Sequence, residues 1–159
     1  MNISTNEKKL EELSEIKYQV HIGKSNEVSY LEIMILKFIG VYGFGSAGNS
    51  DAIFMRAIGE AVLEAWEPGG LIIDLSELSY EWGDQLEDVF YIGSYKYRDM
   101  PFPIALIVGD KSEEAIRTLI LGIQSTQGIH EIGWVFKEVS SAWGYIETKL
   151  KEYKSQKML

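Results

Sequence analysis

This sequence of 159 residues has no cysteine, only two histidines and no long hydrophobic run. The absence of cysteine excludes disulfides, thiolate nucleophiles and cysteine-ligated zinc or iron–sulfur centres. The most apolar stretch, from Tyr30 to Gly45, contains Glu32 and Lys37 and is too short to span a bilayer. The first ten residues are charged and lack the apolar core of a secretory signal, so we expect a cytoplasmic protein without a membrane segment.

Lysine and arginine are also missing from Ala57 to Tyr95, although the chain contains 15 of them. This segment carries nine acidic residues, which account for the whole formal net charge of −9. A negative field of this kind repels nucleic acids and anionic membranes, and it speeds the encounter with a basic protein. We therefore expect no nucleic-acid partner. The acidic segment is either a solvated face that aids solubility or a surface for a basic protein partner.

The order of the apolar patterns predicts an α/β fold. A short helix from Thr5 or Asn6 to Ile16 is expected first, followed by a β-hairpin over residues 17–41 with its turn at 23–26. Short apolar runs bounded by turn residues are typical of buried parallel strands. They occur at 71–75 and 103–108, with a weaker one at 132–136.

Helical periodicity fills the intervals between these strands. Helices are predicted after an N-cap at Ser50 or Asp51, over Gly83–Ile92, after Ser112 and at the end of the chain. Alternation of strands and helices at this spacing favours right-handed crossovers. We therefore expect one α/β domain with a mostly parallel or mixed sheet of four or five strands and an opening β-hairpin.

The glycine loop, Gly43–Ser50, formally contains the G-x-G-x-x-G pattern of nucleotide-binding turns. Asp51 would place negative charge where a phosphate should lie, and Asp74 stands about thirty residues after Gly43 rather than about twenty. The loop is therefore either a flexible surface loop or a small-ligand, nucleotide or protein site. The residues that would form such a site are Gly43, Gly45, Ser46 and Gly48.

Catalytic and metal-binding patterns are weak. Nothing in the sequence brings His21 or His130 together with a nucleophile such as Ser46, and His130-Glu131 lacks a second histidine at metal spacing. The nucleophile pattern G-x-S-x-G fails because Phe44 stands where its first glycine is needed. We expect no enzyme activity, no cofactor and no metal.

Large aromatic residues accumulate next to the acidic ones, between Tyr80 and Tyr97. Exposed tyrosine and tryptophan surrounded by like charge serve protein interfaces as anchors and as a steering field. The alternative is a second core layer beneath a long connection. If the segment is an interface, we expect the partner-binding residues to be Glu77, Tyr80, Glu81, Trp82, Asp84, Glu87 and Asp88.

Three segments resemble STAS domains, the module of anti-sigma factor antagonists. Residues 71–80 resemble the central strand and turn of that family, and residues 105–114 resemble its next strand and helix start. Residues 135–142 look like its closing strand and the entry into the last helix. The resemblance covers roughly residues 30–150 and implies a STAS-like fold in a bacterial regulatory protein.

The sequence departs from that family at its regulatory turn. Anti-sigma factor antagonists carry D-S-S-G there, and one of the serines is phosphorylated to control binding. The matching turn reads Trp82-Gly83-Asp84-Gln85, so Gly83 and Asp84 stand at the serine positions. The Asp84 carboxylate would imitate a phosphate only in part. The resemblance therefore implies a relative that binds without phosphorylation control.

These observations favour a non-enzymatic, protein-binding regulatory module that uses its acidic, aromatic surface. One alternative is an immunity-type inhibitor that covers a basic toxin, which the acidic segment and the small size suggest. A second alternative is a small-ligand binder or small enzyme that uses the glycine loop.

Overall fold

A computed structural model describes residues 1–93 and 102–157 of this chain. Within these residues one mixed sheet has the strand order β1-β2-β3-β4-β5. Its first two strands pair antiparallel and the others pair parallel. The strands are β1 Lys17–Lys24, β2 Glu32–Val41, β3 Gly70–Ser79, β4 Ile104–Val108 and β5 Val135–Phe136. The predicted α/β class, the mixed sheet and the opening hairpin are confirmed.

Three α-helices connect or cover these strands: α1 Asn49–Trp66, α2 Glu113–Leu121 and α3 Val139–Lys157. Short 3-10 helices occur at Leu10–Glu12, Gly45–Gly48, Asp84–Tyr91 and Ile129–Glu131. None of the helices in the described part of the chain is long and apolar enough to cross a bilayer.

The sheet buries both faces because successive side chains of a strand point to opposite sides. Residues such as Met34, Leu36 and Ile73 lie in one cluster with α1, α2 and the 3-10 helix Asp84–Tyr91. Their neighbours Ile33 and Ile72 lie in a second cluster with α3. The sheet therefore lies between two packed layers, one that contains α1 and α2 and one that contains α3, and the carboxyl ends of β2, β3 and β4 form one of its edges.

Strand β3 is longer than the predicted run 71–75. Its last residues Glu77, Leu78 and Ser79 pair with the end of β2, at Ile39, Gly40 and Val41. The local pattern contains only one apolar residue there, so the extension depends on pairing with β2 and was not visible in the sequence.

The link between β1 and β2 also differs from the prediction. Strand β1 continues through Lys24, and the connection occupies residues 25–31 instead of 23–26. Val28 is fully buried in the connection, and Ser25 binds the side chain of Glu147 on α3. Tertiary contacts therefore shift the turn away from its local glycine signal.

The predicted opening helix is wrong. Residues 1–9 have no regular secondary structure, and the 3-10 turn Leu10–Glu12 is all that follows before Ile16. Leu10 is exposed, Leu13 is half-buried and Ile16 is buried. A short helix is marginal unless packing buries its apolar side, and here the packing reaches only its last turn.

The helix predicted over Gly83–Ile92 is present as the 3-10 helix Asp84–Tyr91. Leu86, Val89 and Ile92 are buried, and they are spaced by three residues. A 3-10 helix has three residues per turn, so this spacing aligns the three side chains on one side. The sequence indicated the buried side but not the tighter helix type.

Candidate functional site

The loops that follow β2, β3 and β4 meet at one edge of the sheet. The Gly45 amide donates to the Trp82 carbonyl at 3.0 Å, and the Tyr80 amide donates to the Lys111 carbonyl at 3.0 Å. Open α/β sheets place their binding sites at this edge, beyond the carboxyl ends of parallel strands. The structure therefore joins the glycine loop to residues Tyr80–Asp84, called here the aromatic turn.

An exposed aromatic pair lies where the two segments meet. The rings of Phe44 and Trp82 have centroids 5.4 Å apart and a tilt of 43°. Phe44 is 67% exposed and Trp82 is 55% exposed. Phe44 belongs to the glycine loop and Trp82 to the aromatic turn. The two segments, which the sequence analysis gave as alternative candidate sites, therefore form one continuous surface.

Gly45 allows this close contact. Its φ of +61° lies in the left-handed region, and a methyl group on its Cα would overlap the Trp82 ring. Glycine adopts this conformation without a steric penalty and has no side chain to displace the indole. The glycine thus serves packing between two loops of the chain.

Two tyrosines lie beneath the aromatic turn. Tyr80 is 3% exposed, and its hydroxyl donates to the Gly83 carbonyl at 2.8 Å. Tyr42 meets it edge-on, with ring centroids 5.2 Å apart. Burial, together with the Asp84 carboxylate, raises the pKa of Tyr80 from its ordinary value of 10 to about 12. Its hydroxyl therefore stays a protonated donor well into the alkaline range. Tyr80 was predicted to contact a partner, but it is buried and instead positions the turn.

Removing that hydroxyl is expected to destabilise the turn. Tyr80→Phe should lower the free energy of unfolding by about 1 kcal/mol, because a buried carbonyl loses its hydrogen-bond donor. The measurement is urea denaturation followed by circular dichroism. Tyr91→Phe is the control, because Tyr91 is exposed and its hydroxyl should contribute nothing. Equal stability of the two variants would show that the hydroxyl of Tyr80 does not hold the turn.

The acidic residues of the turn and of the following 3-10 helix are exposed. Glu81, Asp84, Glu87 and Asp88 all face solvent. Asp88 approaches Arg56 of α1 at 4.0 Å. In the described residues no ion pair involves Glu81, Asp84 or Glu87. Three exposed carboxylates therefore lie close in sequence to Trp82, one ring of the aromatic pair.

Glu77 has a different environment from the other predicted residues. It lies on β3 itself and forms an ion pair with Lys37 of β2. The hydrogen bond to Glu77 raises the pKa of Lys37 above its ordinary value. The charge of Glu77 is therefore offset within the sheet, and Glu77 contributes less to a negative field than the acids of the turn.

The N-terminus of α1 is occupied by an internal carboxylate. Asp51 accepts hydrogen bonds from the Ser14 hydroxyl at 2.5 Å and from the Gly43 amide at 2.8 Å. The helix begins at Asn49, so Ser50 and Asp51 lie in its first turn and the predicted N-cap at either residue is wrong. A phosphate at this end of the helix would lie next to the buried Asp51 carboxylate, and the two negative charges would repel each other.

The remaining catalytic candidates are scattered. His21 lies exposed on β1, His130 lies exposed in the 3-10 helix Ile129–Glu131, and Ser46 lies in the glycine loop. Among residues 1–93 and 102–157, no three histidine or carboxylate side chains are grouped so that they could hold a metal ion.

Sequence reasoning missed Phe44. The pattern that could have indicated it is an aromatic residue between two glycines in a polar loop, because such a loop offers no apolar layer that would bury the ring. Tyr95 and Tyr97, which belong to the predicted aromatic cluster, lie outside the described residues.

Comparison with known proteins detects similarity in structure and not in sequence. No protein-family model and no curated protein matches this chain. A solved structure described as an anti-sigma factor antagonist from Mycobacterium paratuberculosis does match, with a TM-score of 0.53 and 14% sequence identity. The match covers 82% of this chain and 93% of that one.

At this identity the likeness concerns the fold, and the strand order and the mixed sheet described above agree with it. This chain therefore has the STAS-like fold of an anti-sigma factor antagonist.

Proposed function

We propose that this chain is a non-enzymatic regulatory module that binds a basic protein through its acidic, aromatic surface. The observation that carries the proposal is the exposed Phe44–Trp82 pair next to the exposed carboxylates of Glu81, Asp84 and Glu87, which form no ion pair with any of the described residues. Exposed aromatic rings bury a large area at low entropic cost, which is why interface anchors are often aromatic. The surrounding carboxylates accelerate the encounter with a cationic surface.

Two features favour a regulator over an immunity-type inhibitor. The fold is that of a protein described as an anti-sigma factor antagonist. The proposed surface also includes the turn Trp82-Gly83-Asp84-Gln85, whose place in the sequence resembles that of the regulatory turn of anti-sigma factor antagonists. Residues 81–88 contain no serine, threonine or tyrosine. We therefore propose that binding is constitutive, with no hydroxyl in this turn to accept a phosphate.

The test begins with a partner captured on the immobilised chain, eluted with salt and identified by mass spectrometry. Association is then measured at several NaCl concentrations for the wild type and for the triple variant Glu81→Lys, Asp84→Lys, Glu87→Lys. We expect association of the triple variant to be about tenfold slower at low salt and nearly independent of salt, because steering by exposed charge is screened by ions.

The matched control reverses three acids at the opposite edge of the sheet: Glu27→Lys, Glu32→Lys and Glu152→Lys. These residues are exposed, and the net charge changes by the same amount. If only the net charge of the protein matters, both triple variants will associate equally slowly, and the proposed surface is then wrong. Wild-type kinetics in the first variant would contradict the proposal as well.

A further inference from the structure

A groove of about 560 Å³ separates the aromatic turn from helix α2. One wall is formed by Tyr80, Glu81, Trp82 and Asp84, and the opposite wall by α2 and the residues that flank it. Helix α2 has nine residues, which at ~1.5 Å per residue makes that wall ~13 Å long. The groove can thus hold a short segment of another chain, about four extended residues at ~3.3 Å each.

Apolar side chains line much of this groove. Trp82 lies on one side, and Ala115, Leu119 and Ile123 lie on the other. Ile123 is 83% exposed, directly after Gly122, which ends α2 with a φ of +88°. Single exposed apolar residues are common, but Trp82 and Ile123 are two large exposed ones on the lining of one groove. An apolar side chain bound in the groove would therefore meet exposed apolar surface from both the aromatic turn and the end of α2.

Acidic groups predominate among the charged groups that line the groove. Among the described residues that line it, Glu81, Asp84, Asp110 and Glu114 contribute carboxylates, and Lys111 contributes a cation. Glu114 is paired with Arg117 at 2.6 Å, so its charge is largely offset. Asp110 interacts electrostatically with Lys137, so its charge is partly offset too. Together with Glu81 and Asp84 it still outweighs the charge of Lys111 among the described lining residues. Charge complementarity therefore calls for a cationic occupant.

We propose that this groove binds a short segment of the protein partner in which apolar residues are flanked by lysine or arginine. The inference rests on the proposed function and specifies the part of the partner that is recognised. The apolar residues of the segment would lie between Trp82 and Ile123. Its cationic residues would face Glu81, Asp84 and Asp110.

The experiment uses a phage-displayed library of random peptides, selected against the full immobilised chain. Enriched peptides are synthesised with a fluorophore, and their affinity is measured by fluorescence anisotropy. We expect enriched peptides to contain apolar residues flanked by lysine or arginine, and Ile123→Ser to weaken their binding at least tenfold. The fold should tolerate this variant because Ile123 is almost fully exposed. Tyr30→Ser is the control, since Tyr30 is 74% exposed in the β1–β2 connection and should not affect binding.

Three outcomes would overturn the inference: no enrichment, enriched peptides without cationic residues, or binding that Ile123→Ser leaves unchanged. Self-association of the chain that Ile123→Ser abolishes would also overturn it, because the occupant would then be a second copy. Failure of this inference can be distinguished from failure of the proposed function. If the captured partner is sensitive to the charge reversal but not to Ile123→Ser, the acidic surface stands and the groove does not.

Discussion

Replacing Glu147 by alanine is expected to lower the free energy of unfolding by about 3 kcal/mol, because four buried or half-buried donors lose their common acceptor. Oε2 of Glu147 accepts from the Ser25 hydroxyl at 2.7 Å and from the Glu27 amide at 3.0 Å. Oε1 accepts from the Asn26 amide at 2.7 Å and from Trp143 Nε1 at 3.1 Å. The side chain connects the β1–β2 connection to α3, and the measurement is chemical denaturation at pH 7.

The controls separate the lost hydrogen bonds from the change in helix composition. Glu152 lies on the same helix, is exposed and pairs with Lys149 at 3.6 Å. Glu152→Ala should therefore lower the free energy of unfolding by less than about 0.5 kcal/mol. Glu147→Gln keeps the shape of the side chain and should fall between the two. A loss for Glu147→Ala no larger than that for Glu152→Ala would contradict the role assigned to Glu147.

The contribution of Glu147 should also depend on pH. Burial by itself would raise the pKa of Glu147, but its four hydrogen bonds lower the pKa below the ordinary value of 4.5. A carboxyl group whose pKa is lower in the folded state stabilises the fold above its unfolded pKa. This stabilisation is lost as the pH falls through the folded pKa.

We therefore expect the stability difference between the wild type and Glu147→Gln to be constant above about pH 5 and to shrink below it. Urea denaturation between pH 7 and pH 3 measures this difference. A difference that grew on acidification would mean that the pKa of Glu147 is raised rather than lowered.

The second large effect is expected at Gly45. Gly45→Ala should lower the free energy of unfolding by about 2 kcal/mol, because a residue with a Cβ is strained at positive φ and the new methyl group displaces Trp82. The half-exposed indole can move outwards, so the aromatic pair with Phe44 should be lost while the sheet remains folded. The nuclear magnetic resonance signal of the Trp82 indole N–H, assigned with Trp82→Phe, should therefore shift.

Gly144→Ala is the matched control, with an effect of opposite sign. Gly144 is exposed in the middle of α3, and among the described residues no atom beyond the local helix backbone and its two chain neighbours lies within 4 Å of an added Cβ. The substitution should stabilise the fold by about 0.5–1 kcal/mol, because alanine loses less backbone entropy in a helix. Destabilisation by both substitutions would contradict the explanation from backbone geometry.

These variants also connect the fold to the proposed function. Gly45→Ala should weaken binding of the captured partner, because it separates the two rings that we propose as the anchor. Glu147→Ala should leave the affinity of the folded protein unchanged, since the β1–β2 connection lies at the opposite edge of the sheet. Loss of affinity in the Glu147 variant alone would move the binding surface to that edge.

Several elements could be predicted because their signals are local. The apolar runs of β3 and β4 are continuous and bounded by turn residues, and those of α1 and α3 repeat at helical spacing. The opening helix was predicted from the same kind of local signal, and that prediction is wrong. Leu10, Leu13 and Ile16 repeat at helical spacing, but most of that side finds no layer to cover it.

Periodicity and composition are properties of neighbouring residues. They were therefore enough to predict the order of the five strands along the chain, the helices after β2, the hairpin and the acidic segment without lysine or arginine. Three features became visible only in the three-dimensional fold: the glycine loop contacts the aromatic turn, Tyr80 is buried while Trp82 is exposed, and Trp82 and Ile123 line one groove. These facts depend on parallel pairing between strands that are distant in the chain. That pairing places loop ends side by side, whereas local sequence specifies only each loop.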